Sequence, residues 1–162
     1  MAYIIRDFRE DDAPALGLVT REAIVVIGAH AYTPEQVDVW ASRHHDATRF
    51  VERAGLGHAI WVVVDHADAP VAYALLEPDG HLDMLYCHPD HTRRGLAGEL
   101  LAHAEMHARG EGLERLYTEA SELARPAFER AGYGVTQRRD FEIEGRNGPV
   151  AIHNYAMEKR LV

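Results

Sequence analysis

The chain has 162 residues, 47% of them hydrophobic and 27% charged, enough length and apolar content for one well-buried core, which sets aside a disordered or fibrous protein. Its 26 acidic residues outnumber 17 basic ones, and the formal net charge of -9 excludes nucleic acid as a main partner, because phosphate binding needs a basic stripe. The lone cysteine, Cys87, excludes an internal disulfide, and no run approaches the roughly 18 apolar residues of a membrane span.

One domain over residues 1–162 is expected, since no repeat, low-complexity tract or linker interrupts the chain. Charged residues at positions 6, 7, 9 and 10 break any signal-peptide core, so a reducing, cytoplasmic location with no membrane partner is expected. Residues 3–8 read as a first strand. Asp11 and Asp12 open a helix to about Ile27, their charge suiting the positive end of the helix dipole, and Gly28 is placed to end it. Thr33-Pro34-Glu35-Gln36 starts a second helix: Thr33 caps, Pro34 fits the first turn and Gln36 completes a capping box. Residues 46–54 read as a short third helix, stopped by Gly55.

Residues 59–64 are apolar and β-branched, so they predict a buried strand. After a turn at 65–68 the chain returns through 70–76, and after Pro78-Asp79-Gly80 it runs out again through 81–87. Such short connections make these three strands an antiparallel meander. Strict alternation along the third strand places His81, Asp83, Leu85 and Cys87 on one face and Leu82, Met84 and Tyr86 on the other. Residues 88–92 are a loop, 95–109 a helix stopped by Gly110 and Gly112, and 113–119 a strand. A crossover of this β-α-β kind implies that its two strands are parallel. A short helix begins near Arg125, because Pro126 belongs in a first turn, and ends at Gly132. Residues 135–144 and 149–159 read as two strands around Gly145-Arg146-Asn147-Gly148. The order predicts a mixed α/β fold in which an antiparallel meander leads into one β-α-β unit.

Residues 88–101, HPDHTRRGLAGELL, carry the most chemistry. Successive backbone N–H groups that open a helix form an anion site. Gly95, Ala97 and Gly98 are small enough for phosphate oxygens to approach the backbone, and Arg93 and Arg94 add charge for a diphosphate. On local chemistry alone, the stretch is equally a glycine-containing loop with two solvated arginines. Other phosphate motifs fit less well. There is no G-x-x-x-x-G-K-[ST], and Gly55-Leu56-Gly57 precedes a strand and has Ile60 where the third glycine should be.

Residues 88–101 resemble the acetyl-CoA-binding motif of the GNAT superfamily of N-acetyltransferases, Q/R-x-x-G-x-G/A. Gly95 and Ala97 fill its two small positions, and Thr92 stands where Gln or Arg is usual. A second stretch resembles the family's next motif, Glu119-Ala120-Ser121 followed by AFERAGY at 127–133. The order of elements is similar over nearly all of the chain, and Tyr32-Thr33-Pro34-Glu35-Gln36 with Trp40 looks like one subfamily of small GNAT proteins.

The resemblance implies a mixed, mostly antiparallel sheet with a β-α-β CoA-binding unit, and acetyl-CoA as cosubstrate. It sets the pantetheine against the backbone of Leu85, Tyr86 and Cys87, with Ser121 and Phe128 also beside the cofactor. The diphosphate falls on Arg93, Arg94, Gly95, Leu96, Ala97 and Gly98. It implies direct acetyl transfer to a primary amine of a small molecule or peptide, with Tyr32, Trp40 and Glu119 at the acceptor. The position of the usual base points to His81 or Asp83. The position of the usual acid, a tyrosine, is held by Phe128, which has no proton to give. Tyr117 and Tyr155 are the substitutes, with solvent as a third source. Phe128 and Thr92 also keep open a non-catalytic acyl-CoA sensor on the same fold.

Cys87 reads as a small apolar residue, not a nucleophile. Among 11 histidines, His103 and His107 are spaced i, i+4 on a helix, but Glu105 lies on nearly the opposite face, so this is no H-E-x-x-H. His44-His45, His88 and His91 fall in loops, and no metal is expected. An apolar edge near 152–157 suits a homodimer. The overall charge tilts the acceptor toward cationic amines.

Overall fold

A computed structural model describes residues 2–43 and 46–162. The histidine pair at 44–45 lies outside the described residues. The meander forms as the connection lengths require. β1 (Ile4–Asp7), β2 (Ala59–Val64), β3 (Pro70–Leu76) and β4 (Leu82–Cys87) pair antiparallel in that order. A second sheet follows, β5 (Arg115–Ala120), β6 (Gly134–Gly145) and β7 (Gly148–Arg160), in the order β5-β7-β6.

β2 and β3 are apolar along their whole length because both faces of the first sheet are covered. Trp61, Val63, Ala74 and Leu76 pack under α4 (Leu96–Gly110) with its Leu96, Leu100, Leu101 and Ala104. On the other face, Ile60, Val62, Tyr73 and Leu75 meet Leu16 and Val19 of α1 (Ala13–Glu22) and Phe50 of α3 (Thr48–Gly55). A third cluster joins Ile24, Tyr32, Val37 and Val39 to Ile143, Val150 and Ile152 of the β6–β7 hairpin. Val37 and Val39 come from α2 (Pro34–Ser42), which opens with the expected reciprocal cap. Gln36 N–H donates to Thr33 Oγ1 at 3.1 Å, and Thr33 N–H donates to Gln36 Oε1 at 2.9 Å.

Four expectations are corrected. First, Gly28 does not end the first helix. The helical run passes from a turn at Glu10–Asp12 through α1 and a π-helical turn, Ala23–Ile27, into a 3-10 turn, Gly28–His30. A Cβ at Gly28 would sit 3.2 Å from the Trp40 ring, so glycine here makes room for the indole. Second, the run Glu10–His30 is long and apolar enough by length and composition to cross a membrane, with a mean hydropathy of 1.2. Its Leu16, Val19 and Ile24 are buried in the core, while Leu18, Val25 and Val26 are exposed. Third, a bulge at Asp83 breaks the alternation of β4, because Leu75 pairs with Met84 while Leu76 pairs with Leu82. Leu82 therefore joins Leu85 and Cys87 under α4, while Met84 and Tyr86 face α1. Fourth, 152–157 is an edge only in part. Residues 155–157 of β7 pair with β5 on one side and β6 on the other, and only 152–154 of the stretch pair with β6 alone.

Candidate active site

β5 returns beside β4 but touches it at one end only. His81, just before β4, forms a single parallel bridge to Tyr117; Tyr117 N–H donates to Gly80 O at 3.0 Å, and Thr118 Oγ1 donates to Leu82 O at 2.7 Å. Past that point no ladder joins the two strands among the described residues, and the expected parallel pair is reduced to a hinge. The strands diverge into a cleft of about 360 Å³ lined by Asp83 to Tyr86 of β4 and Thr118 to Ser121 of β5 and its exit. Tyr32, Trp40 and three arginines from the α2–α3 region close one side, and Phe141, Ile152 and His153 of the hairpin close another. α5 (Arg125–Arg130) contributes the buried Phe128.

The β4 backbone at Leu85, Tyr86 and Cys87 pairs with β3 on one edge, so its other edge faces the divergence. At the head of α4, Gly95 adopts φ +77° and turns the chain into the helix. The first helical bond that closes there is Glu99 N–H to Gly95 O, so the N–H groups of Leu96, Ala97 and Gly98 have no partner within the helix. Gly98 sits inside the first helical turn, where glycine costs roughly 1 kcal/mol relative to alanine. A Cβ on it would meet no protein atom within 4 Å, so no packing within the chain calls for glycine. Arg93 is exposed with φ 62°. Arg94 is tied back instead, donating to Tyr3 Oη at 2.7 Å, and Thr92 Oγ1 donates to Pro89 O at 3.1 Å.

His81 and Asp83, expected to handle the proton, stand in an ion-pair cluster at the closed end. His81 Nδ1 meets Glu77, and Nε2 meets Glu119 Oε1 at 2.7 Å. Burial disfavours the charged ring, but the hydrogen bonds to Glu119 and Glu77 outweigh it and push its pKa up to about 9. The ring therefore holds its proton at neutral pH. Asp83 accepts from Arg53 at 2.9 Å. Glu77, His81 and Asp83 bring their ligand atoms within 4.8 Å of one another, a spacing a metal could use, but each is committed to a hydrogen bond or ion pair. Tyr117 stacks on His81 and donates to Asp79; that bond, with some burial, pushes the phenol up to about 12. It does not line the cleft. Burial holds Cys87 as a thiol, its pKa pushed up to about 11.

A second group lies at the open end, and of its members only Tyr155 was singled out from the sequence. His153 Nε2 meets Glu122 Oε2 at 2.6 Å, and Tyr155 Oη donates to the same oxygen at 2.9 Å. The bond to His153 holds Glu122 below the usual carboxylate range. In a neutral ring that donates Nε2–H to Glu122, Nδ1 keeps the lone pair, and the ring lines the cleft. Tyr32, also in the lining, receives Glu122 N–H at 2.9 Å and donates to His153 O at 3.0 Å, tying β7 to the exit of β5. Glu122 follows directly on the Glu119-Ala120-Ser121 stretch, but its partner is 31 residues away on a strand that reads only as alternating. His103 and His107, the other spaced pair, lie edge-on to Trp61, with centroids at 5.6 and 5.2 Å.

The profile of the acetyltransferase (GNAT) domain matches residues 28–149 of the chain. The uncharacterized N-acetyltransferase YafP of Escherichia coli strain K12 is 29% identical over 141 residues, 87% of either chain. A GCN5-related N-acetyltransferase from Rhodopseudomonas palustris superposes with a TM-score of 0.87 at 29% identity, covering 99% of this chain and 97% of that one. The PaiA N-acetyltransferase of Thermoplasma acidophilum, solved in complex with coenzyme A, superposes with a TM-score of 0.79 at 16% identity over 99% of both chains.

Proposed function

The chain belongs to the GNAT family of acetyltransferases, and on that premise we propose that it moves the acetyl group of acetyl-CoA to a primary amine by direct attack. The carrying observation is the divergence of β4 from β5, which leaves one β4 edge unpaired beside a cleft. The fit of the donor is supported by the head of α4. Three N–H groups without helical partners converge there, and Gly98 leaves a space that nothing in the protein fills. Leu96, Ala97 and Gly98 would hold the diphosphate, with Arg93 nearby, and Leu85, Tyr86 and Cys87 the pantetheine. Ser121 and Phe128 would flank its far end.

The acceptor enters from the side of Tyr32 and Trp40. Its ammonium proton passes to His153 Nδ1, and Glu122 stabilises the imidazolium that results. His81 is a poor base, because it already carries its proton at neutral pH. The amine lone pair attacks the acetyl carbonyl carbon, the new C–N bond replaces the C–S bond, and the thiolate leaves. Phe128 cannot protonate it, Tyr117 donates to Asp79 and Tyr155 to Glu122, so the proton comes from solvent. A thiol's ordinary pKa near 8.5 makes that sufficient.

Release of free CoA from acetyl-CoA, followed with a thiol reagent across a panel of primary amines, tests this reading. Amine-dependent release above hydrolysis is expected. Tight acetyl-CoA binding with no release for any amine would contradict transfer and leave the sensor.

A further inference from the structure

The acidic chain hides a positive cleft. Four arginines line it, Arg43, Arg49, Arg53 and Arg139, against two carboxylates, Asp83 and Glu119. Both carboxylates are already neutralised within the protein, Asp83 by Arg53 at 2.9 Å and Glu119 by His81 at 2.7 Å. Arg43, Arg49 and Arg139 have no carboxylate partner among the described residues. Arg139 donates to Asn154 Oδ1 at 3.2 Å and lies over Phe141, which aims its guanidinium without cancelling its charge. In a chain with a formal net charge of -9, three uncompensated guanidinium groups around one cleft form an anion-binding rim.

The remaining walls narrow the ligand further. Tyr32 and Trp40 stand edge to face at 5.4 Å, and Phe141 continues the aromatic surface toward Ile152. Tyr32 precedes α2, Trp40 lies on α2, Arg43 just after it, Arg49 on α3, and Arg139, Phe141 and Ile152 on the hairpin; none of residues 93–98, the expected phosphate cradle, lines this cleft, whereas Leu85, Tyr86, Ser121 and Phe128, expected along the pantetheine, do. The positive rim and the aromatic wall therefore belong to the acceptor side.

We propose that the acceptor is an anionic amine, an aminocarboxylate with an apolar or aromatic body whose carboxylate is held by Arg43, Arg49 and Arg139. The inference rests on the acetyltransferase reading for its amine and on the arginine rim for its anion. It reverses the tilt toward cationic acceptors drawn from overall charge.

Matched pairs test it. CoA release is measured with L-phenylalanine, L-leucine and L-methionine against their decarboxylated amines, 2-phenylethylamine, isoamylamine and 3-methylthiopropylamine. The expected kcat/KM is about 10-fold higher for the carboxylated member, because these guanidinium groups are exposed, a solvent-accessible guanidinium–carboxylate pair is worth at most roughly 5-fold, and three of them face one carboxylate. Arg49→Gln and Arg139→Gln should each shrink that preference toward unity, and added NaCl should weaken it. No preference, or a preference that these variants leave intact, overturns the inference while transfer itself stands. A loss of acetyl-CoA affinity in the variants, with the preference kept, also overturns it and assigns the rim to the phosphates of CoA. Calorimetric binding of N-acetyl-L-phenylalanine to the protein with CoA present separates the two claims. If no amine releases CoA but this acid binds and Arg49→Gln abolishes the binding, the anion site stands and the transfer reading fails. If it neither binds nor any carboxylated amine turns over, the anion site fails.

Discussion

The two proposed sites, for the donor and for the acceptor, are built in opposite ways. The donor end is a single stretch of chain, β4, the loop after it and the first turn of α4, and its working groups are backbone N–H and the absence of side chains at Gly95 and Gly98. The proposed acceptor site is assembled from residues between Tyr32 and His153 that are far apart in the chain, and its groups are side chains: a His–Glu pair, three arginines and an aromatic wall. Backbone recognition serves one invariant ligand, while side-chain recognition can be changed piece by piece without disturbing the sheet. The comparison teaches that acetyl-CoA binding and acceptor choice should be separable by mutation.

The largest expected effect is at the donor end. Gly98→Leu fills the space beside the first turn of α4, where a side chain meets no protein atom. Acetyl-CoA affinity by calorimetry should fall at least about 100-fold, while the apo protein unfolds at the same or a higher temperature, because glycine in a helix costs roughly 1 kcal/mol. A large loss of apo stability would mean the space belongs to the fold.

The matching break at the acceptor end is His153→Gln. Loss of a general base should lower kcat on the order of 100-fold, with acetyl-CoA affinity within about twofold of wild type. Equal losses in both parameters would make His153 structural and undo the division of labour.

His81 sharpens the comparison where the two strands meet. Its folded pKa of about 9 lies above the ordinary value of 6.5, so the protonated ring stabilises the fold. That contribution is complete below about pH 6.5 and fades as pH rises toward 9. After allowance for solvent screening it is on the order of 1–2 kcal/mol, roughly 3–6 °C in unfolding temperature. The wild-type advantage over His81→Gln should shrink by that amount between pH 6.5 and 9.5, and a constant gap would contradict the ion-pair assignment.

The smallest effect is expected deep in the donor half. Tyr133 Oη is buried beside Phe128 without a hydrogen-bond partner among the described residues. Tyr133→Phe should leave stability unchanged or raise it by about 1 kcal/mol, measured by urea unfolding. A clear loss would mean the hydroxyl is satisfied.

What the chain disclosed in advance follows the same division. The meander, the Thr33 cap, α4 and the glycine loop are contiguous signals, and each stands close to its expected place. The face of Leu82 was misread because a bulge has no signature in an alternating strand. The middle position of β7 was missed because strand order is a long-range property that pattern alone does not carry. His153 with Glu122, and the arginine rim, were invisible for a related reason. Charged residues scattered along the chain read as solvated surface until folding sets them around one cleft, and the sum of charges, -9, does not reveal where the positive ones gather.

The most direct test of the central claim is thermal unfolding of wild type and Gly98→Leu with and without acetyl-CoA, with NAD and ATP as controls. At 100 times its dissociation constant, acetyl-CoA should add about 2.7 kcal/mol, several degrees, to wild type and little to the variant. A wild-type curve unmoved at millimolar acetyl-CoA, or an equal shift in both proteins, would contradict a donor site at the head of α4.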